Sequence, residues 1–302
     1  MIIQAEHLNK WYGRVIALND VSLSIAPGIT GLLGPNGAGK TSFMRILIGL
    51  MRESSGTMRV LGERPWNNPK LAVRIGYCPE HDGFYEGMTG TEFVTSLARI
   101  RGVSDCPAAA KKAIEWVRMS EAADRKILTY SRGMRQRIKL AQAVVHKPEL
   151  LVLDEPLTGS DPMVRQELIA LIKLFAKEGG NVIVSSHVLH EIEQLTRKIA
   201  LIHRGRLVAE GDVRQIRDLI DGHPHTVEVR ADRPRELAAA LAREPEVVEI
   251  RFDPTAVWVR TPSPDAFYAK LPKIALDAGA EVRRISSPDD NLEAVFRYLT
   301  ES

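Results

Sequence analysis

Residues 34 to 41 read Gly34-Pro35-Asn36-Gly37-Ala38-Gly39-Lys40-Thr41, directly after the apolar run "GITGLL". Glycine weakens both strands and helices, because the bare backbone loses the most freedom on ordering. Three glycines at a strand-to-helix junction therefore point to a task for the backbone itself. The stretch matches G-x-x-x-x-G-K-[ST] in full. Consecutive N–H groups without obstructing side chains wrap a phosphate chain, and the N-terminus of the following helix adds a favourable dipole. Lys40 is placed to reach the β- and γ-phosphates of a nucleotide, and the Thr41 hydroxyl to ligate Mg²⁺.

A chain built around such a loop needs strand, loop and helix in succession. "TSFMRILIGL" follows at helical spacing, and "ELLVLDE" (149–155) is an apolar run of strand length. Asp161-Pro162 forms a helix start, N-cap then Pro. The helix 163–178 stops at Gly179-Gly180. "NVIVSS" (181–186) and "IALIH" (199–203) read as further strands, and "RGRLVAEG" as a hairpin turning at Arg204-Gly205. This alternation predicts an α/β domain with a largely parallel sheet over about 1–220. Between 83 and 147 three stretches have helical periodicity without a strand, so a helical subdomain is expected inside the α/β core. After the linker-like "DGHPH" (221–225), residues 224–302 predict a separate α+β module. Its order is β-α-β-β-α-β, ferredoxin-like, with a last helix over 292–299. It carries no chemical motif, and a regulatory, dimer-stabilising or passive role is open to it.

The second chemical motif is "LLVLDEP". A buried strand ending in Asp154 and Glu155 puts two carboxylates at the carboxyl edge of the sheet, where ligands bind in open α/β folds. Asp154 is the expected Mg²⁺ holder, directly or through water. Glu155 is the expected base for the attacking water. His187, after "VIVSS", ends another strand and is placed to touch the γ-phosphate or orient the water.

Composition adds bounds. The chain has 302 residues, 44% hydrophobic and 26% charged, as in globular proteins with a real core. A net charge of +3 gives no argument for nucleic acid. Cys78 and Cys106 are the two cysteines, which suits a reducing compartment. The opening stretch "MIIQAEHLNKWYG" has no long apolar region, so no signal peptide is expected. Apolar runs such as "ILIGLM" fall well short of the roughly 20 residues that span a bilayer.

With these motifs assembled, the chain resembles the nucleotide-binding subunit of an ATP-binding-cassette (ABC) transporter, over about residues 1–215. The family's signature segment lies between its two Walker motifs. Here that segment reads "YSRGMRQRIKLAQAVVHKPELLVLDEP", 130–156. "YS[KR]GM" resembles the branch that pairs with separately encoded exporter-type permeases. The family's D-loop corresponds to "GSDP" (159–162), its switch histidine to His187 and its adenine-stacking aromatic to Tyr12, with Trp11 next to it as a substitute. The resemblance implies a phosphate-loop cassette that binds ATP with Mg²⁺ through the loop, including Ser42 after Thr41. Two copies pack head to tail, so that Ser131, Arg132, Gly133 and Met134 of one face the ATP of the other. It implies a multi-span membrane permease as partner, no nucleic acid, and a place on the cytoplasmic membrane face, energising export.

Two departures stand out. The usual Leu-Ser-Gly-Gly-Gln is Tyr130-Ser131-Arg132-Gly133-Met134 here, and Arg132 adds a positive charge near the expected phosphate. In "GYCPEHDGF", Glu80 stands where the family usually has Gln. A carboxylate remains a suitable hard ligand, so Glu80 is expected to contact Mg²⁺ or hydrogen-bond the attacking water. The rival readings are a soluble cassette ATPase in translation or DNA repair, and a nucleotide-gated regulator. The first of these relatives usually carries two cassettes or a coiled-coil insertion, and neither is present.

Overall fold

The computed structural model describes residues 1–85, 87–213, 216 and 225–287. The chain divides into two compact units, Met1–Asp212 and Val213–Ser302. The first unit is built on a six-stranded sheet. In chain order its strands are β3 (Ile29–Leu33), β5 (Ile75–Cys78), β6 (Leu150–Leu153), β7 (Asn181–Ser186), β8 (Lys198–His203) and β9 (Arg206–Asp212). Across the sheet they run β5-β6-β7-β3-β8-β9. The first five are mutually parallel and β9 is antiparallel. All four residues of β6 are buried, as a parallel strand covered on both faces requires. β8 turns into β9 through Arg204 and Gly205, both at positive φ, the backbone of a tight hairpin turn.

The amino-terminal sixty residues depart from the expected strand–helix alternation. They hold a second, antiparallel sheet of order β2-β1-β4, from β1 (Ile3–Tyr12), β2 (Val15–Ile25) and β4 (Ser55–Val60). Helix α1 (Lys40–Leu47) lies in the core common to both sheets and fully buries Phe43, Met44, Ile46 and Leu47. Each such side chain is worth roughly 2 kcal/mol of transfer free energy. The start of α1, which closes the glycine loop, is thereby fixed against both sheets.

After the short α2 (Pro69–Ala72), helices α3 (Gly90–Ile100), α4 (Cys106–Trp116) and α5 (Arg132–Val144) form the inserted helical part. Each start is capped. Thr89 and Glu92 form a reciprocal capping box, Asp105 caps α4, and Ser131 accepts from the Met134 amide. Helix α6 (Pro162–Lys177) starts at Asp161-Pro162 as the sequence predicts. Helix α7 (Leu189–Glu193) follows β7.

Just past α5, His146 is largely enclosed, and its Nε2 lies 3.1 Å from the Ile75 carbonyl. A carbonyl only accepts, so Nε2 carries the proton. Burial, with help from Arg101, pushes its pKa down to about 4. The unfolded chain takes up this proton below about pH 6.5, whereas the native protein resists until about 4. The melting temperature is therefore expected to fall by several degrees as pH drops through that window. Calorimetry of His146→Gln should show a shallower fall.

The second unit follows β-α-β-β-α-β order: β10 (His225–Ala231), α8 (Pro234–Leu241), β11 (Glu249–Phe252), β12 (Ala256–Thr261), α9 (Pro264–Asp277) and β13 (Val282–Ser286). Its sheet has order β11-β12-β10-β13 and all its pairs are antiparallel. Val227, Val229, Val257 and Val259 pack with Leu237, Leu241, Phe267 and Leu271 of the helices. The helix expected over 292–299 lies outside the described residues. Among the described residues, no helix is long and apolar enough to cross a membrane.

Candidate active site

Four neighbouring parallel strands deliver chemistry to one edge. β3 runs into the glycine loop, β6 into Asp154 and Glu155, β7 into Ser186 and His187, and β5 into Glu80. The loop geometry explains the glycines. Gly34 and Gly39 have φ of 155° and 109°. A Cβ on Gly34 would collide with the Ile202 carbonyl, and one on Gly39 with the Ala17 carbonyl. The loop is also tied to the β8–β9 hairpin, because the Gly205 amide donates to the Ala38 carbonyl at 2.8 Å. Pro35, Asn36 and Gly37 form its outer bend, with Asn36 and Gly37 exposed. Thr41 and Ser42 lie half-buried in the first turn of α1.

Lys40 is buried, and its Nζ donates to the Gly34 carbonyl at 2.6 Å and the Pro35 carbonyl at 3.2 Å. The same ammonium lies 3.3 Å from Glu155 Oε1. Glu155 sits at φ 48°, in the left-handed region that a glutamate rarely adopts. Its Oε2 accepts from Thr158 Oγ1 at 2.9 Å and lies 2.9 Å from His187 Nδ1. Lys40, Glu155 and His187 thus form one bonded group across three strand ends.

Asp154 is 1% exposed. Ser185 Oγ donates to its Oδ1 at 2.7 Å and accepts from the Glu155 amide at 2.9 Å. One hydroxyl therefore orients the Asp154 carboxylate and pins the Glu155 backbone. The sequence reading missed Ser185 and Thr158, although the Ser-Ser-His run at the end of β7 is the signal that marks the first. It also missed Glu191, a buried acid that accepts from Ser186 Oγ at 2.8 Å and lies 3.4 Å from Arg165 Nε. Ser186 in turn accepts from the Val188 amide, so this pair anchors the turn that carries His187.

The remaining predicted residues fall into separate places. The Tyr12 hydroxyl lies 3.3 Å from Ser42 Oγ and 2.8 Å from Met51 Sδ, which brings the end of β1 beside α1. Tyr12 is 44% exposed, and Lys10 Nζ lies 5.4 Å from its ring centre. Ser131 caps α5, and Arg132 Nη2 donates to the Thr158 carbonyl of its own chain at 2.9 Å. A Cβ on Gly133 would press into the Val164 side chain, so α5 and α6 approach closely there. Met134 contributes its amide to the Ser131 cap. The Glu80 side chain is 45% exposed, and its Oε2 lies 3.8 Å from His81 Nδ1.

The donor set suits a hard cation shared with phosphate. Thr41 offers a hydroxyl and Asp154 a buried carboxylate oriented by Ser185. Among the described residues, no group of three His, Cys, Asp or Glu side chains could hold a metal ion alone. Mg²⁺ does not need one, since it typically takes one or two protein oxygens and completes its shell with phosphate and water.

Fold and site together define a phosphate-loop, nucleotide-binding ATPase cassette. The family model for ABC transporters matches residues 18–158. The chain is 33% identical over 303 residues to the Nod factor export ATP-binding protein I of Cupriavidus metallidurans, covering 99% of this chain and 97% of that one. It is also 33% identical over 307 residues to the daunorubicin/doxorubicin resistance ATP-binding protein of Streptomyces peucetius, covering 99% and 92%. A solved ATP-binding subunit of an ABC transporter shares 25% identity and superposes with a TM-score of 0.66, over 73% of this chain and 93% of its own. The chain belongs to the ABC transporter family. It is an ATP-binding subunit of the class that hydrolyses ATP to drive transport.

Proposed function

We propose that this chain energises export through a separately encoded, multi-span permease, from the cytoplasmic face of the membrane. The observation that carries the reading is the bonded group Lys40–Glu155–His187 beside a complete phosphate loop. Lys40 holds the β- and γ-phosphates of ATP, and loop amides cradle the rest. Tyr12 stacks on the adenine, since an aromatic ring suits a purine face. Thr41 and Asp154, with Glu80 as a further oxygen, would hold Mg²⁺, which would supply positive charge to the phosphates.

Glu155 takes a proton from the attacking water. The water oxygen bonds to the γ-phosphorus, and the bond to the β–γ bridging oxygen breaks, leaving ADP and phosphate. His187, 2.9 Å from the Glu155 carboxylate, orients the water or contacts the γ-phosphate. Ser131, Arg132, Gly133 and Met134 act on the ATP of a second copy packed head to tail. Their place at the start of a capped helix suits an anion. Residues 224–302 serve as a regulatory or dimer-stabilising module.

The test is purification from membranes in mild detergent. The chain should bring down a multi-span membrane protein, and the reconstituted pair should hydrolyse ATP faster than the chain alone. Recovery of ribosomes or DNA in its place would overturn the reading in favour of a soluble cassette ATPase.

A further inference from the structure

Among the described residues β5 is an edge strand, bonded to β6 on one side. Along a strand, successive carbonyls point to opposite sides. On the β6 side, the Arg74 carbonyl accepts from the Glu149 and Leu150 amides, and the Cys78 carbonyl from the Asp154 amide. The carbonyls of Ile75, Tyr77 and Pro79 point outward, where an edge normally leaves acceptors unpaired. Here helix α5 and His146 just beyond it supply their donors. His146 Nε2 lies 3.1 Å from the Ile75 carbonyl, Gln142 Nε2 donates to Tyr77 at 2.8 Å, and Lys139 Nζ to Pro79 at 3.1 Å. Lys139 Nζ also donates to the Glu80 carbonyl at 2.9 Å and lies 3.0 Å from Asp82 Oδ1. Arg135 Nη1 lies 3.6 Å from Asp82 Oδ2. Residues 135, 139 and 142 recur at helical spacing on α5, and with His146 just past the helix they line the edge strand and the turn after it.

Two features make this more than surface decoration. Lys139 is 3% exposed, and a buried ammonium is costly unless its donors are all engaged. Backbone approach is also close, because a Cβ on Gly76 would collide with the Ala143 carbonyl and meet the Pro148 ring at 2.9 Å. Helix α5, β5 and the turn 79–82 are thus bonded as one body. The far end of that helix carries Ser131 to Met134.

We propose that Lys139 is the positioning residue for Glu80. It ties the turn after β5 to α5, so the place of Glu80 at the site is set by the helix that begins at the signature residues. This rests on the reading of Glu80 as a contact of Mg²⁺ or of the attacking water.

The test uses the full chain with Lys139→Met, Lys139→Arg, Glu80→Gln and the double variant Glu80→Gln/Lys139→Met. Hydrogen exchange of the peptide covering 79–83 is read beside ATPase activity titrated with Mg²⁺. Lys139→Met should speed exchange in that peptide about tenfold, the worth of one charge-assisted hydrogen bond, with β6 and residues 225–287 unchanged. It should also raise the Mg²⁺ needed for half-maximal activity, as Glu80→Gln should, and the double variant should need no more than Glu80→Gln alone. Lys139→Arg should restore part of both. Unchanged exchange at 79–83, or exchange raised equally throughout the first unit, would overturn the proposal. So would a Mg²⁺ shift in Glu80→Gln that Lys139→Met does not reproduce. If 79–83 loosens while neither variant moves the Mg²⁺ titration, the role given to Glu80 fails and the tether alone stands.

Discussion

Glu155→Gln is expected to lower ATP turnover by about 10²- to 10⁴-fold, the usual contribution of a general base, while ATP binding persists. Gln keeps the shape and the Thr158 hydrogen bond through its amide oxygen, but it cannot take a proton from water. Its backbone cost is unchanged, because Glu155 already occupies positive φ. The fold should therefore survive, and phosphate release measured at saturating ATP isolates the chemistry. Turnover near the wild-type rate would exclude Glu155 as the essential base.

Lys40→Ala acts earlier, on binding. Removing the ammonium that reaches the β- and γ-phosphates should weaken ATP by about 10- to 100-fold, as for loss of a hydrogen bond to a charged group. Turnover should fall with it. The circular dichroism spectrum should be retained, because α1 is held by Phe43, Met44, Ile46 and Leu47 and not by its first residue. The melting temperature should drop, since the buried Glu155 carboxylate loses the cation 3.3 Å from Oε1. Wild-type affinity in a titration with labelled ATP would contradict the phosphate-loop reading.

The placement of the candidate site was legible where its residues are contiguous. The loop 34–41, the Asp154-Glu155 pair and the strand-end His187 each declare themselves within a few residues, and the sheet places them on neighbouring strands. The hairpin at Arg204-Gly205 and the start of α6 at Asp161-Pro162 were legible for the same reason. The antiparallel sheet of the first sixty residues was not. β1 and β2 pair with register shifts between Ala5 and Leu8, and again near Lys10, so the apolar alternation is dislocated. His7 and Asp20, at positive φ, mark the same irregularity. β5 is only four residues long and includes Gly76, too short for a period to show.

Non-local pairing hid the rest. Ser185 reaches the Asp154 carboxylate and the Glu155 amide only because β6 and β7 are in parallel register, with Leu153 beside Val184. Lys139 reads in sequence as an ordinary helix lysine. Its burial depends on which carbonyls of the edge strand point outward. Arg132 read as a phosphate-facing charge, and in the structure it donates to Thr158 of its own chain.

Sedimentation velocity of Glu155→Gln with Mg²⁺ and either ATP or ADP tests most directly whether two copies enclose ATP that Glu155 would otherwise hydrolyse. A species of twice the 33.6 kDa chain mass is expected with ATP, and the single chain with ADP. The same single-chain species under both nucleotides, with ATP shown to be bound, would contradict the enclosure of ATP by two copies.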